Sequence, residues 1–521
     1  MSGSPGPGRV EQTAAPARTD PKWWTLAAVC LGTFMLLLDI TVVNVALPDI
    51  QTELSASFSD LQWVIDAYAL TLASLLLTAG SLADMYGRRR LYLVGLVLFS
   101  GASALCGAAW SPLVLELARA LQGVGGATMF AVSLALLADA FRGRDRGVAF
   151  GVWGAVTGVA VSVGPIVGGL LVTGLSWRWI FYVNLPVGVV AVALTLLKVA
   201  ESRDPQPRRP DWPGVVVFSA ALGLVVYGLI EAGRLGFTAP RVLVCLVLGL
   251  VLLVVFGLVE IRVPYPMFDL RLFRVPTFVG GDIAAFGLSA GVFSMLLFLV
   301  LYLQDVLGYS ALQTGLRLLV LSGGILVVSG VAGRLTSRVP IRALIGPGLA
   351  LAGTGLLMMR GLTATTDWTH LIPGLAVAGV GIGLVNPPLA STAVGVVEPH
   401  RAGMASGINS TFRQVGIATG IAALGALFTS RLAAEVTALT AGTPLATHSD
   451  QISGALRNGG ARALFATAPP QQQAVLEQVV RGSFTSALDH VLLVAGVLTL
   501  VCAVLAFALI RSEDLLWRRQ S

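Results

Sequence analysis

Fourteen stretches of this chain are each long and apolar enough to cross a bilayer, and nothing else constrains its fold as strongly. A helical crossing of about 30 Å of hydrocarbon takes roughly 20 apolar residues. The stretches lie at about 24–47, 61–82, 91–110, 113–138, 147–171, 178–199, 212–232, 241–261, 276–302, 312–333, 342–360, 370–393, 407–430 and 487–510. Lipid offers backbone N–H and C=O groups no partner, so such segments must be helices. The sequence therefore predicts an all-α polytopic membrane protein with 14 transmembrane helices. The charged fraction, 12%, excludes a soluble protein of this size, since soluble domains carry about 25%. With 55% hydrophobic residues, bulk disorder is excluded too.

The net charge of +7 would raise nucleic acid as a partner in a soluble chain. Here the arginines sit in short loops between apolar stretches, so they report topology and no nucleic-acid partner is expected. With the N-terminus in the cytoplasm, 23 of the 34 Lys and Arg fall on the cytoplasmic side and eight outside, as the positive-inside rule requires. An even number of spans then puts both termini in the cytoplasm of a multi-pass cell-membrane protein. Residues 1–20 read as a Pro/Gly/Ala-rich tail rather than a signal peptide. A weak repeat pairs Gly80-Ser81-Leu82 and its basic turn, after span two, with Gly333-Arg334-Leu335, after span ten. It makes spans 1–6 and 9–14 equivalent halves. The expected organisation is a tail at 1–22, a six-helix bundle at 23–200, a linker at 201–211, an inserted pair of helices at 212–261, a second bundle at 262–510 with an outer loop at 431–486, and a tail at 511–521. Cys30, Cys106, Cys245 and Cys502 all lie in apolar stretches and suggest neither a disulfide framework nor a metal site.

Ionisable residues inside spans each cost about 2.5–3.5 kcal/mol on insertion scales and so need a reason. Asp39 in span one, Asp66 in span two, and Arg119 with Glu116 in span four all fall at a similar depth below the outer face. Two readings stand. One is a proton and substrate relay, in which a carboxyl responds to burial and to the approach of an arginine. The other is a buried ion pair that only locks helices together.

Two further patterns carry information. The loop Gly80–Leu91 has Gly80 and Gly87 for a tight turn, Asp84 placed to cap a helix, and Arg88, Arg89 and Arg90 to anchor the cytoplasmic face. Span five places Gly151, Ala155, Gly158, Ser162, Pro165 and Gly169 on one helical face. Such a face allows close helix contact, and Gly164-Pro165 adds a kink. It serves tight packing, and equally the smooth surface that alternating access needs. The glycines of span twelve follow no strand and are not a dinucleotide loop. No catalytic or metal-binding constellation is visible, so neither an enzyme nor a cofactor is expected.

The sequence Leu38-Asp39-Ile40-Thr41-Val42-Val43-Asn44-Val45-Ala46-Leu47-Pro48 resembles a signature of the major facilitator superfamily, in its 14-span drug:proton antiporters. Gly80–Arg90 is similar to the superfamily's loop motif, with Met85 where a basic residue is common. Leu117-Ala118-Arg119-Ala120-Leu121-Gln122-Gly123 resembles its span-four motif. Gly151 through Gly164-Pro165-Ile166-Val167-Gly168-Gly169 is similar to its antiporter motif, with Ala160 in place of one glycine. Trp177–Pro186 and Asp211-Trp212-Pro213-Gly214 add to the likeness. The resemblance implies two six-helix bundles around a central cavity, with spans 7–8 packed outside. It implies that Asp39, Asp66 and Arg119 face that cavity, with Asp282 and Arg413 as contributors from the second half. It further implies a monomer that exchanges protons for cationic or amphipathic small molecules and is driven by the proton gradient alone. The alternative is a dedicated exporter of one metabolite, such as a self-made antibiotic.

Overall fold

Each of the fourteen apolar stretches lies on a helix in the computed structural model, which describes residues 21–141, 143–203, 210–336, 338–397, 402–443, 445–457 and 470–514. The helices are α1 (Pro21–Leu54), α2 (Phe58–Tyr86), α3 (Arg88–Gly107), α4 (Pro112–Ala140), α5 (Gly143–Gly174), α6 (Trp179–Lys198), α7 (Trp212–Leu235), α8 (Pro240–Arg262), α9 (Pro276–Val306), α10 (Ala311–Leu335), α11 (Arg342–Met358), α12 (Ile372–Gly395), α13 (Ala402–Thr440) and α14 (Pro470–Leu509). Among the described residues there is no strand. Twelve helices are long and apolar enough to cross a membrane. A thirteenth counts if the two arms of α5, bent by 43° between Val161 and Val163, form one span, while α11 is apolar but has only 17 residues. Pro165 accounts for the bend, because its ring cannot donate to the carbonyl of Val161 and clashes with it. Local signals fix the helix starts. Ser57 with Asp60, and Ser310 with Gln313, form capping boxes at α2 and α10.

Glycine sets the packing distances in the first half. A β-carbon on Gly123 would lie 2.6 Å from the carbonyl oxygen of Tyr68, and one on Gly125 would lie 2.6 Å from the backbone nitrogen of Phe99. The backbones of α2, α3 and α4 therefore touch, the close approach that small residues permit in lipid. α7 packs on α2 and α13. Val226 and Ile230 meet Ala69, Ala418 and Ala422, and Tyr227 lies 6.4 Å from Trp63 between ring centroids. α8 lies outside, with much of its surface exposed apolar side chains. At the Asp211 end of this pair, Asp211 Oδ1 accepts from Gly214 N (2.9 Å) and Glu260 Oε2 accepts from Phe268 N (3.0 Å). Phe218, Phe256 and Phe268 close over that end with ring centroids 5.0 to 5.5 Å apart.

The expected outer loop is largely helical. α13 and α14 have 39 and 40 residues, about 60 Å at 1.5 Å per residue and twice the hydrocarbon thickness. The Ala-rich continuation of α13 keeps a buried face, and Val436 packs with Ile452, Leu476, Val479 and Val480 in a small core of its own. Residues 444 and 458–469 of that segment, 204–209 of the linker, and most of both expected tails lie outside the described residues.

Asp84 does not cap α3. Its Oδ1 instead accepts from Arg88 Nε (3.0 Å) and Nη2 (2.9 Å), one turn along. Gly87 makes the turn at φ +110°, and a β-carbon there would meet the Glu201 carboxylate at 2.7 Å. Glu201 Oε1 accepts from the Arg89 backbone N–H, and Arg89 Nη2 donates to Leu196 O, so the turn is tied to the end of α6. Gly87→Ala should therefore cost about 1–3 kcal/mol, the range for a residue held in a conformation only glycine adopts easily. A melting temperature unchanged in detergent would show that the turn tolerates a side chain.

Candidate functional site

Asp39 and Arg119 meet inside the first half. Arg119 Nη1 lies 2.5 Å from Asp39 Oδ2, and both side chains are almost fully buried. Asp39 Oδ1 accepts from Gln122 Nε2 (2.8 Å) and Asn184 Nδ2 (3.0 Å). Arg119 also donates to Gln122 Oε1 (2.6 Å) and to the carbonyl of Val64 (3.0 Å), and its guanidinium stacks 4.3 Å above the Tyr68 ring. Ser103 accepts from both amides. The network ties α1, α2, α3, α4 and α6 around one ion pair. A buried charge this well supplied with hydrogen bonds is tolerable, and removing one partner from such a pair costs about 3–5 kcal/mol.

Glu116 and Asp66 stand apart from this network. Arg119 pairs with Asp39 and not with Glu116, which is half-buried on α4 with Asp60 as a charged neighbour. Asp66 is fully buried, and among the described residues neither of its carboxyl oxygens has a hydrogen-bond partner. Its helical neighbours fix its surroundings. Gln62 donates to Ile421 O of α13 (2.9 Å), Trp63 packs on Tyr227 of α7, and Ala69 and Leu70 belong to the α2–α7–α13 cluster. These residues lie three and four positions from Asp66, so they flank it on one face. Asp66 is therefore in the seam between α2, α13 and α7.

The second half carries its own polar groups. Asn409 Nδ2 donates to Asp282 Oδ1 (3.0 Å), whose Oδ2 is buried without a partner. One turn along α13, Arg413 Nη2 donates to Asn386 Oδ1 (2.7 Å). Arg413 thus meets α12 rather than the Asp84 loop. Asn386 directly precedes Pro387-Pro388 inside α12.

Between the halves is a cavity lined by α1, α5, α9, α10 and α12. Thr41, Asn44 and Ser322 are its polar lining residues, and Phe293 its one aromatic. Beside it the antiporter-like face of α5 behaves differently along its length. A β-carbon on Gly169 would lie 2.7 Å from Leu312 Cα, and one on Gly168 3.1 Å from Val42 O, while Gly164 abuts Thr41 and the Pro165 carbonyl abuts Gly315. Leu312 N also donates to Thr173 Oγ1. Near the other end of the helix, a β-carbon on Gly154 or Gly158 would meet nothing within 4 Å, and the same holds for Gly80 and for Gly333 of α10. The surroundings of Gly151 lie outside the described residues. The two halves thus touch at the α1–α2 end of α5 and α10, while toward the opposite end no described atom comes within 4 Å of a β-carbon at these glycines.

The neutral residues of the Asp39 network and the cavity lining escape a search for charge. Gln122 and Asn184 stand within motifs already conspicuous in the sequence, and polar amides inside apolar spans are the available signal. The network makes Asp39 and Arg119 energetically coupled. Asp39→Asn and Arg119→Gln should each lower the melting temperature, and the double variant by clearly less than the sum. Additive losses in a double-mutant cycle would mean the two residues do not share an interaction.

The chain matches the family model of the Major Facilitator Superfamily over residues 29–421. It is 40% identical over 413 residues to the multidrug resistance protein Stp of Mycobacterium tuberculosis, covering 79% of this chain and 77% of that protein. It is 39% identical to the puromycin resistance protein pur8 of Streptomyces alboniger (92% and 95% covered), and 32% identical to the tetracenomycin C resistance and export protein of Streptomyces glaucescens (97% and 95%). Its fold is similar to that of a bacterial homologue of the human lysosomal transporter Spinster in an inward-facing, occupied conformation, with a TM-score of 0.66 at 17% identity over 96% of this chain and 99% of the other. A family match across three quarters of the chain, on an all-helical fold of membrane-spanning length, makes this a multi-pass membrane transporter that belongs to the major facilitator superfamily.

Proposed function

We propose that this chain is a proton-coupled exporter of drug-like small molecules that works by alternating access. The observation that carries the reading is the α5–α10 contact, closed at one end and open at the other, beside a pocket between the two halves. With both termini in the cytoplasm of a 14-span cell-membrane protein, the open end faces inward, ready to load. Two six-helix bundles at 23–200 and 262–510 would rock about the cavity, with α7 and α8 inserted between them in sequence and the Asp84–Arg88 turn holding the cytoplasmic ends. No cofactor is invoked, the proton gradient supplies the work, and the transporter acts as a monomer surrounded by lipid.

Asp39 is the proposed coupling carboxyl. When it takes up a proton its attraction for Arg119 goes, and the α1–α4 contact it holds is free to change. Asp66 is a second proposed proton site. An unpaired charge in its seam would be costly, and protonation relieves that cost. Asp282 and Arg413 would supply the second half's share. A dedicated role in exporting one antibiotic has support as well, because the relatives named for puromycin and tetracenomycin C resistance align over more of this chain than Stp does.

Two measurements in proteoliposomes test the reading. Asp39→Asn should abolish transport driven by an imposed pH gradient while counterflow of an anthraquinone or acridine dye persists. Gradient-driven transport at the native rate would remove Asp39 from coupling. The α5 face gives the second test. Gly158→Leu adds bulk where nothing lies within 4 Å, so the melting temperature should hold, yet closing that end would be blocked and exchange should fall at least tenfold. Gly169→Leu would drive atoms into the α10 backbone and should instead lower the melting temperature. Native exchange by Gly158→Leu would show that this end does not close during transport.

A further inference from the structure

We propose that the central cavity selects uncharged lipophilic molecules bearing hydroxyl or carbonyl groups, and rejects permanent cations. This deepens the export reading and rests on it. A site for organic cations needs a carboxylate or a set of aromatic faces directed at the bound charge. None of the fourteen lining residues is charged, and Phe293 is the only aromatic among them. The intramembrane acids that would serve such a role are all directed elsewhere. Asp39 is occupied by Arg119, Gln122 and Asn184. Asp66 is in the α2–α7–α13 seam, and Asp282 is held by Asn409. Each of the three is no more than 2% exposed. Ile382 lines the cavity, and one turn along α12 Asn386 holds Arg413.

What the cavity does offer is hydrogen bonding from two helices of opposite halves. Thr41 Oγ1 donates to Leu38 O (3.0 Å) and Asn44 Nδ2 to Ile40 O (3.2 Å). These bonds fix both side chains against their own helix and leave the Thr41 hydroxyl oxygen and the Asn44 amide oxygen able to accept, with a second Asn44 N–H able to donate. Ser322 faces them from α10. A few placed polar groups in an apolar wall orient a neutral ligand by its own hydroxyl or carbonyl groups. A permanent cation entering the same space would find no opposite charge among the residues that line it.

The test uses the full-length protein in nanodiscs and three probes built on one dihydroxyanthraquinone ring, with a neutral hydroxyethyl, a trimethylammonium or a sulfonate arm. Binding is measured by titration calorimetry, and transport separately in proteoliposomes with a pH gradient. The neutral probe should bind at least tenfold more tightly than the cation, about 1.4 kcal/mol, and the sulfonate should lose less than the cation does. Asn44→Asp should shrink the neutral-to-cation ratio at least tenfold by placing a carboxylate in the wall. Ser322→Asp does the same from the other half and serves if the first variant fails to insert. A cation bound as tightly as the neutral probe, or a ratio unmoved by either carboxylate, overturns the proposal. Selective binding of the neutral probe without gradient-driven movement supports this proposal and overturns the export reading. Gradient-driven export that favours the cation does the reverse.

Discussion

The buried ion pair between Arg119 and Asp39 sets the terms for the whole first half. Lipid cannot solvate either charge, and a pair alone would not offset the desolvation of two ions. The fold answers with neutral partners. Gln122, Asn184 and the Val64 carbonyl take up further hydrogen-bonding groups of the pair, and the Tyr68 ring covers the guanidinium. These partners come from α2, α4 and α6, and Ser103 of α3 accepts from both amides, so with α1 five helices must be correctly seated before the charges are tolerated. The glycines of α4 are what allow this seating. Gly123 and Gly125 bring the backbones of α2 and α3 close enough for short side chains to reach the pair.

The same close-packing logic operates between the halves, but only along part of their length. Helix association in lipid relies on van der Waals contact between small residues, and such a contact is either made or absent. At the Gly169 end of α5 it is made, against Leu312. At the Gly158 end it is absent. Pro165 lies between the two regimes, where the 43° bend falls. A seam with one end zipped and one end parted has an obvious counterpart in which the ends exchange roles. Two such arrangements of one interface form the bistable element that alternating access requires.

Much of the fold was legible because hydropathy and helix length are direct consequences of bilayer thickness. In residues 431–486 the Ala-rich composition reads as helical pieces, but its apolar signal is too weak to show that α13 runs on to Thr440. Of the site, the acids and Arg119 were visible because charge in a span is rare. Their partners were not, because geometry decides between Glu116 and Asp39 as the mate of Arg119. Equal depth suggested that Asp39, Asp66 and Arg119 could meet. Depth leaves helix rotation open, and the face shared by Gln62, Trp63, Ala69 and Leu70 turns Asp66 toward α7 and α13. The cavity lining was invisible for the opposite reason. Thr41, Asn44 and Ser322 are unremarkable polar residues until two helices of opposite halves bring them to one space.

That separation of acids from cavity bears on how protons and substrate would be coupled in the proposed exchange. If both competed for one carboxylate, the acid would have to lie in the cavity wall. Asp39 does not. At about 100° per residue, Thr41 and Asn44 sit roughly 200° and 140° around α1 from Asp39, so the helix presents its carboxyl to the first-half core and its hydroxyl and amide to the cavity. A proton on Asp39 and a molecule against Asn44 therefore never touch, yet both act on the same rigid helix. In the proposed proton-coupled exporter the coupling would be a property of α1 itself. Loss of the Arg119 contact on one face and gain of a ligand on the other bias the same displacement, and each changes the affinity for the other by an equal factor.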